Sequence, residues 1–228
     1  MSGTVNIDIK TVSEERDGVP VRGFLHTPGD PCGDGLVLTH GAGANCQSRL
    51  LTALADAFAH VGIVVLRCDL PFRQLRPHGP PPRGSAERDQ QGLRAAIAML
   101  KEHAPKSIFL GGHSYGGRQA SMLVASEPEL AEALLLLSYP LHPPKRREDL
   151  RTAHFPSLRT PALFVSGTRD GFGSTEELTS ALRLIAARTE LLPIQAAGHE
   201  LLTSKNREHL PAMIVKAFLE FTTRSLSR

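Results

Sequence analysis

Residues 109–120 read FLGGHSYGGRQA and decide the fold of this chain of 228 residues. An apolar stretch typical of a buried strand precedes the glycines, and a helical pattern follows them. Between them lies Gly112-His113-Ser114-Tyr115-Gly116, which fits G-x-S-x-G in the strand-to-helix context that this pattern requires. So sharp a turn forces Ser114 into an unfavourable backbone conformation and leaves room only for glycine two positions to either side. The stretch therefore predicts a serine hydroxyl raised above the end of a sheet.

Short apolar runs elsewhere in the chain predict further strands. The apolar runs are residues 36–38, 63–66, 108–110, 134–137 and 162–165, and the run at 108–110 overlaps the stretch quoted above. Continuous runs of this length suit strands that are covered on both faces. Nearer the N-terminus, apolar and polar residues alternate on both sides of Asp17-Gly18. The positions on the non-polar side of this alternation are Val5, Ile7, Ile9, Val21, Gly23 and Leu25. This alternation predicts an N-terminal antiparallel pair.

Helical patterns separate these runs. Apolar residues recur at helical spacing in residues 50–58, 93–100, 178–185 and 210–221. Gly62 is a predicted helix stop, and Ser174 with Glu177 forms a capping-box pattern. Alternating strands and helices predict an α/β fold with a mostly parallel, doubly wound sheet, and residues 1–228 suit one domain of this kind. The Pro- and Arg-rich residues 71–85 are expected to be an irregular excursion.

Composition disfavours several classes of function. The net charge of +3 and pI of about 8.9 are too weakly basic to indicate a nucleic-acid partner. No apolar run reaches the roughly 18 residues of a membrane span, and the first ten residues lack a signal-peptide pattern, so we expect a cytoplasmic protein with no membrane partner. Cys32, Cys46 and Cys68 lack metal-type spacing and are expected to be reduced thiols. Nucleotide-binding glycine motifs are absent.

A serine hydroxyl is a poor nucleophile unless a base takes its proton. His199 lies in the loop between the apolar residues 191–194, a predicted last strand, and the last predicted helix. This position makes His199 the candidate base. Asp170 follows the strand at 162–165 and is the candidate carboxylate that orients the histidine, with a plain Asp-Gly turn as the alternative.

The loop after the strand at 36–38 reads THGAGAN, residues 39–45. Its small residues let backbone N–H groups approach a substrate oxygen closely. Ala42 is the candidate oxyanion donor, with Gly41 or Gly43 as alternatives, and the Tyr115 N–H at the helix start is the second donor. Asp69 also follows a strand, but it precedes the serine in the chain, so we expect it to fix a loop.

Five stretches together resemble the α/β-hydrolase superfamily across essentially the whole chain: LTHGAGAN, RCDLPFR, GGHSYGG, SGTRDGFG and AAGHE. The order serine, aspartate, histidine is that of this superfamily. Within it, the chain is similar to the small dienelactone-hydrolase-like group, which includes relatives of a subunit of the NSL histone-acetyltransferase complex. The resemblance implies Ser114 as nucleophile, His199 as base, Asp170 as orienting acid, Ala42 and Tyr115 as backbone donors, and no metal or organic cofactor.

The resemblance also implies an α/β-hydrolase fold without a large cap domain. Larger members insert a cap after the strand that here ends near residue 138, and only residues 139–161 separate that strand from the next. Dienelactone hydrolases proper carry cysteine as the nucleophile, where this chain has Ser114.

The predicted function is a carboxylesterase-like serine hydrolase that cleaves a small-molecule ester or thioester through an acyl-enzyme on Ser114. A hydrolase-fold scaffold or binding protein and a small peptidase are the alternatives. Arg73 and Arg118 are candidate ligands for a carboxylate- or phosphate-bearing substrate, with a solvated basic surface as the alternative. The sequence does not indicate the oligomeric state.

Overall fold

The computed structural model describes residues 6–226, and Val5, which begins the predicted N-terminal alternation, lies outside them. The strands are β1 (Ile7–Arg16), β2 (Val19–Pro28), β3 (Gly35–Thr39), β4 (Val64–Cys68), β5 (Ile108–His113), β6 (Ala133–Leu137), β7 (Ala162–Gly167) and β8 (Thr189–Ile194). The helices are α1 (Arg49–Ala59), α2 (Pro71–Leu75), α3 (Ala86–Lys101), α4 (Tyr115–Ser126), α5 (Thr175–Leu182) and α6 (Leu210–Leu226).

The strands of the described residues form one sheet in the order β1-β2-β4-β3-β5-β6-β7-β8. The β1 strand pairs antiparallel with β2, and β2 pairs antiparallel with β4, whereas every pairing from β4 to β8 is parallel. All residues of β3 to β7 are buried, as their continuous apolar runs predict. The predicted α/β fold with N-terminal antiparallel strands is confirmed.

Two apolar cores lie on opposite faces of the sheet. Apolar side chains of α3, α4 and α5 cover one face, and those of α1 and α6 cover the other. On the second face, the Phe218 ring makes edge-to-face contacts with Phe58 and Phe109, with centroid distances of 5.8 and 5.2 Å. These contacts join both helices to the central strand β5, which carries the site.

Two local expectations were wrong. Residues 71–75 form α2 rather than an irregular segment, because Pro71 suits the first turn of a helix and the Phe72 side chain of this helix packs into the core. Met213 was placed in the apolar stripe of the last helix, yet 43% of it is exposed, whereas Leu210, Ile214 and Phe218 are buried.

The connection between β6 and β7, residues 138–161, contains only a short 3-10 turn at Phe155–Ser157. The described part of the chain therefore contains no large cap domain, and this connection and the neighbouring loops lie at the carboxyl ends of the parallel strands. No helix among residues 6–226 is long and apolar enough to cross a lipid bilayer.

Candidate active site

Ser114 occupies the turn between β5 and α4 with φ 51° and ψ −115°, a strained conformation for a residue other than glycine. Its N–H donates to the Leu137 carbonyl at 2.8 Å, which fixes the turn against β6. A Cβ on Gly112 would lie 2.6 Å from the backbone of Gly116, and a Cβ on Gly116 would lie 2.6 Å from the His40 carbonyl oxygen. The two glycines are therefore sterically required.

Three distant segments of the chain meet at Ser114. His199 Nε2 lies 2.8 Å from Ser114 Oγ, and His199 Nδ1 lies 3.0 and 2.9 Å from the two carboxylate oxygens of Asp170. A neutral imidazole fits these contacts when Nδ1–H donates to the carboxylate and Nε2 accepts the serine proton. Only 1% of the Asp170 side chain is exposed, so water does not compete for its hydrogen bonds.

The loop that carries His199 rests directly on the end of β7. A Cβ on Gly167 would lie 2.4 Å from the Ala197 carbonyl oxygen and 2.5 Å from that of Gly198. The Phe172 ring stacks on the imidazole of His199 with a centroid distance of 4.2 Å. Sequence analysis missed Gly167 and Phe172, although both flank the predicted Asp170.

His113 supports the same loop from the other side. Its Nε2 lies 2.8 Å from the His199 carbonyl oxygen, which can only accept, so His113 carries its proton on Nε2. Burial is the main cause that lowers the pKa of His113, and the ring is therefore neutral near pH 7. Sequence analysis treated this residue as a variable position of the motif.

The loop after β3 packs against Ser114. A Cβ on Gly41 would lie 3.4 Å from Ser114 Cβ and 3.1 Å from His113 Nδ1. Within the described residues, the backbone N–H groups of Ala42 and Tyr115 have no acceptor. Both groups are therefore free to donate to a substrate oxygen.

His40 fixes the start of this loop. The Leu70 N–H donates to His40 Nε2 at 3.1 Å, so Nδ1 carries the proton and donates to the Gly41 carbonyl at 2.9 Å. Burial lowers the pKa of His40 and keeps this tautomer neutral. Asp69 Oδ1 accepts from the Cys46 N–H at 2.7 Å, which agrees with its expected role in fixing a loop.

The structure corrects the expectation that Arg73 binds substrate. Only 4% of Arg73 is exposed, and four of its N–H groups donate to backbone carbonyls. The acceptors are Ala42 at 2.6 Å, Ala44 at 2.8 Å, and Arg76 and Gly79 at 2.9 Å each. Arg73 therefore braces the oxyanion loop against the Pro-rich segment. Arg118, the other candidate, lies one helical turn after Ser114, with its N–H 3.0 Å from the Ser114 carbonyl oxygen.

A separate cavity of about 590 Å³ lies between the Pro-rich segment and α3. Its lining includes Arg76, Arg83, Arg88 and Ser85, but none of the residues around the Ser114 hydroxyl. In the part of the chain that the structure describes, no three histidine, cysteine or acidic side chains are placed to hold a metal ion.

A serine at the turn after a central parallel strand, with its aspartate and histidine following in that order, is the arrangement of the α/β hydrolases. Residues 33–224 match the family model of the alpha/beta hydrolase domain. The chain belongs to this family.

Solved structures with the same fold include several hydrolases. A dienelactone hydrolase from Anabaena variabilis is 20% identical, with a TM-score of 0.75 over 94% of this chain and 98% of its own. An esterase domain from Rhodothermus marinus is 18% identical, with a TM-score of 0.70 over 94% and 99%. A serine hydrolase without a lid from Xanthomonas campestris is 15% identical, with a TM-score of 0.71 over 93% and 94%. At these identities the likeness shows the fold alone.

Proposed function

We propose that the protein is a serine hydrolase that cleaves a small ester or thioester through an acyl-enzyme on Ser114. One observation carries the proposal: His199 Nε2 lies 2.8 Å from Ser114 Oγ while the buried Asp170 carboxylate holds Nδ1. A nucleophile, its base and the group that orients the base are thus within hydrogen-bond reach of one another. Membership of the α/β hydrolases supports the reaction class.

In the acylation step, Ser114 Oγ attacks the acyl carbon as its proton passes to His199 Nε2. The carbonyl electron pair moves to the oxygen, where the Ala42 and Tyr115 N–H groups stabilise the negative charge. The Asp170 carboxylate stabilises the imidazolium that forms. Collapse of the tetrahedral intermediate breaks the bond to the alcohol or thiol, which leaves with the proton from His199.

In the deacylation step, His199 takes a proton from water as the water oxygen attacks the acyl-serine. The second intermediate collapses, releases the carboxylic acid and returns the proton to Ser114. The balance is one ester and one water consumed, and one acid and one alcohol or thiol formed.

Ser114→Ala tests the proposal directly. We expect kcat/KM for p-nitrophenyl acetate to fall at least about 10³-fold and labelling by a fluorophosphonate probe to disappear, because no other group replaces the nucleophile. Ser126→Ala, at the far end of the helix that follows Ser114, is the matched control and should retain both properties. Labelling of Ser114→Ala to the wild-type extent, or a wild type that neither turns over nor labels, overturns the proposal.

Several narrower statements stay predictions from the sequence. They are the similarity to relatives of an NSL complex subunit, the cytoplasmic location, and a small-molecule ester rather than a nucleic acid or membrane as partner. A scaffold role is the competing hypothesis. It predicts that the Ser114→Ala variant behaves as the wild type in every assay.

A further inference from the structure

An aromatic ring covers one face of the proposed base. The Phe172 and His199 rings lie with their centroids 4.2 Å apart and their planes inclined by 33°. Only 19% of the His199 side chain is exposed, and the Phe172 ring takes the place of water on the face that it covers. The Phe172 side chain takes no part in the hydrogen bonds from Ser114 to Asp170, so the proposed reaction leaves it without a role.

The backbone of Phe172 holds the ring in this position. Its N–H donates to Asp170 Oδ1 at 2.9 Å, the same oxygen that lies 3.0 Å from His199 Nδ1. Its carbonyl oxygen accepts the His142 N–H at 3.1 Å, which ties the segment to the connection between β6 and β7. Neither bond involves the ring, so a change of ring chemistry at this position alters the contact with His199 without removing either bond.

The carboxylate and the second histidine beside His199 do not oppose a positive charge on its ring. The Asp170 carboxylate lies at the Nδ1 edge of the imidazole. The centroid of the His113 ring lies 5.2 Å from that of His199, with the planes inclined by 48°. Burial lowers the pKa of His113, so this ring adds no positive charge there near pH 7. His199 therefore has an anion at its edge and an aromatic ring on its face.

The face of a benzene ring such as that of Phe172 is partially negative, and it attracts a cation within about 6 Å of the ring centroid. In the proposed reaction, His199 is neutral before each step and becomes an imidazolium as it takes the proton of Ser114 or of water. The attraction to Phe172 is therefore stronger in the transition states than in the ground states. Such an interaction accelerates a reaction, whereas equal stabilisation of both states does not.

We propose that Phe172 is a positioning residue whose ring face stabilises the His199 imidazolium in both acylation and deacylation. The inference rests on the proposed function and adds to it a residue beyond the serine, the aspartate and the histidine. Phe172 acts through His199 and needs no contact with the ester. Its contribution should therefore appear in kcat, with KM unchanged, because the interaction is made only as the imidazolium forms.

Fluorination of the Phe172 ring tests this proposal, because fluorine withdraws electron density from the ring face with little change in shape. Nonsense suppression places 4-fluoro-, 3,5-difluoro- or 3,4,5-trifluorophenylalanine at this position. We expect kcat for p-nitrophenyl acetate to fall with each added fluorine to a total loss of about 3- to 30-fold, the range of a cation–π contact. The same series at Phe58, a core residue of α1, is the matched control and should leave kcat unchanged.

Two ordinary substitutions extend the test. Phe172→Tyr retains an aromatic face and should keep most of the wild-type kcat. Phe172→Leu keeps an apolar side chain without such a face and should lose at least as much kcat as the trifluoro variant. A role in packing alone predicts instead that kcat is constant across the fluorinated series, because the shape of the ring is retained. Should Phe172→Leu fail to fold, as judged by circular dichroism, the fluorinated series decides.

The outcomes separate this inference from the proposed function. An active wild type whose kcat does not change across the Phe172 series overturns the role of Phe172 and leaves the hydrolase proposal intact. An equal loss in the Phe58 series also overturns that role, since such a loss does not depend on the contact with His199. A wild type that neither turns over nor labels with the fluorophosphonate probe overturns the proposed function and this inference with it.

Discussion

The absence of a side chain at Gly167 lets the loop of His199 rest on the end of β7. We predict that Gly167→Ala moves this loop, because the added Cβ would meet two backbone carbonyls at 2.4 and 2.5 Å. The expected result is a loss of about 1–3 kcal/mol in the free energy of unfolding and at least a 10-fold lower kcat/KM for p-nitrophenyl acetate.

Gly171→Ala, four residues further along the chain, is the control for this prediction, because nothing lies within 4 Å of a Cβ at that position. Urea unfolding and steady-state kinetics check both variants. Equal behaviour of Gly167→Ala and Gly171→Ala contradicts the steric explanation.

For single residues, the order of Ser114, Asp170 and His199 along the chain was enough to predict that their side chains meet. Their order along the chain and their positions after β5, β7 and β8 constrain them, because parallel strands end at the same edge of a sheet. The orientation of the Arg73 side chain was not predictable. The sequence of an arginine-rich segment does not distinguish a guanidinium that faces solvent from one that donates to backbone carbonyls. The role of His113 was missed for a similar reason. Its hydrogen-bond partner is the backbone carbonyl oxygen of His199, and a backbone partner cannot be recognised from residue type.

Asp89 connects three helices near the nucleophile. This residue of α3 is fully buried and accepts the Phe72 N–H of α2 at 2.9 Å and the Tyr115 hydroxyl of α4 at 2.7 Å. The Phe72 and Tyr115 rings meet edge to face at 5.5 Å. Asp89 therefore helps to hold the start of α4, which carries one of the proposed oxyanion donors.

We predict that Asp89→Asn lowers the free energy of unfolding by about 1–3 kcal/mol, because an NH₂ group replaces an oxygen that faces donors. The turnover of p-nitrophenyl acetate should also fall. Urea unfolding and kcat provide the measurements, and Glu87→Gln, an exposed acid in the first turn of the same helix, serves as control. Unfolding midpoints that match for the two variants would show that Asp89 has no such role.

Elements with strong local signals were predictable. The Ser174 capping box is present, with the Glu177 N–H 3.2 Å from Ser174 Oγ and the Ser174 N–H 2.8 Å from the Glu177 carboxylate. The helix α2 was missed because proline is common both in irregular segments and in first helical turns. The burial of the Phe72 side chain of α2 in the core distinguishes the two cases, and burial depends on tertiary contacts.

Over the whole molecule, burial lowers the pKa of four histidines: His26, His40, His113 and His154. Below pH about 6.5, the unfolded chain binds protons at these residues that the folded chain does not. Stability therefore rises with pH through the window below 6.5 and is lost on acidification. For His154 this window extends down to about pH 4.

We predict that the wild type is less stable to urea at pH 5 than at pH 7.5, and that His154→Gln reduces this difference. The reduction should be about 1–2 kcal/mol after allowance for solvent screening of a partly exposed ring. His78→Gln, at an exposed position, is the control. An unchanged difference in His154→Gln shows that this histidine does not contribute to acid sensitivity.

The order of the strands in the sheet was harder to predict from the sequence than the strands themselves. Gly35 pairs with Ile108, and Gly23 pairs with Cys68, across long stretches of intervening chain. The apolar periodicity and composition of a segment predict that it is a strand. Which strands lie next to it depends on packing between segments that are distant in the chain. The sequence nevertheless predicts correctly that the sheet is mostly parallel, because helices separate consecutive strands.

The short connection between β6 and β7 has a kinetic consequence for the proposed reaction. In enzymes that close over their substrate, opening often limits turnover. Among residues 6–226, no inserted domain has to move before an ester reaches Ser114 or before its products leave. For the proposed reaction we therefore expect bond making and breaking to limit turnover, and side chains at the rim of the site to determine selectivity.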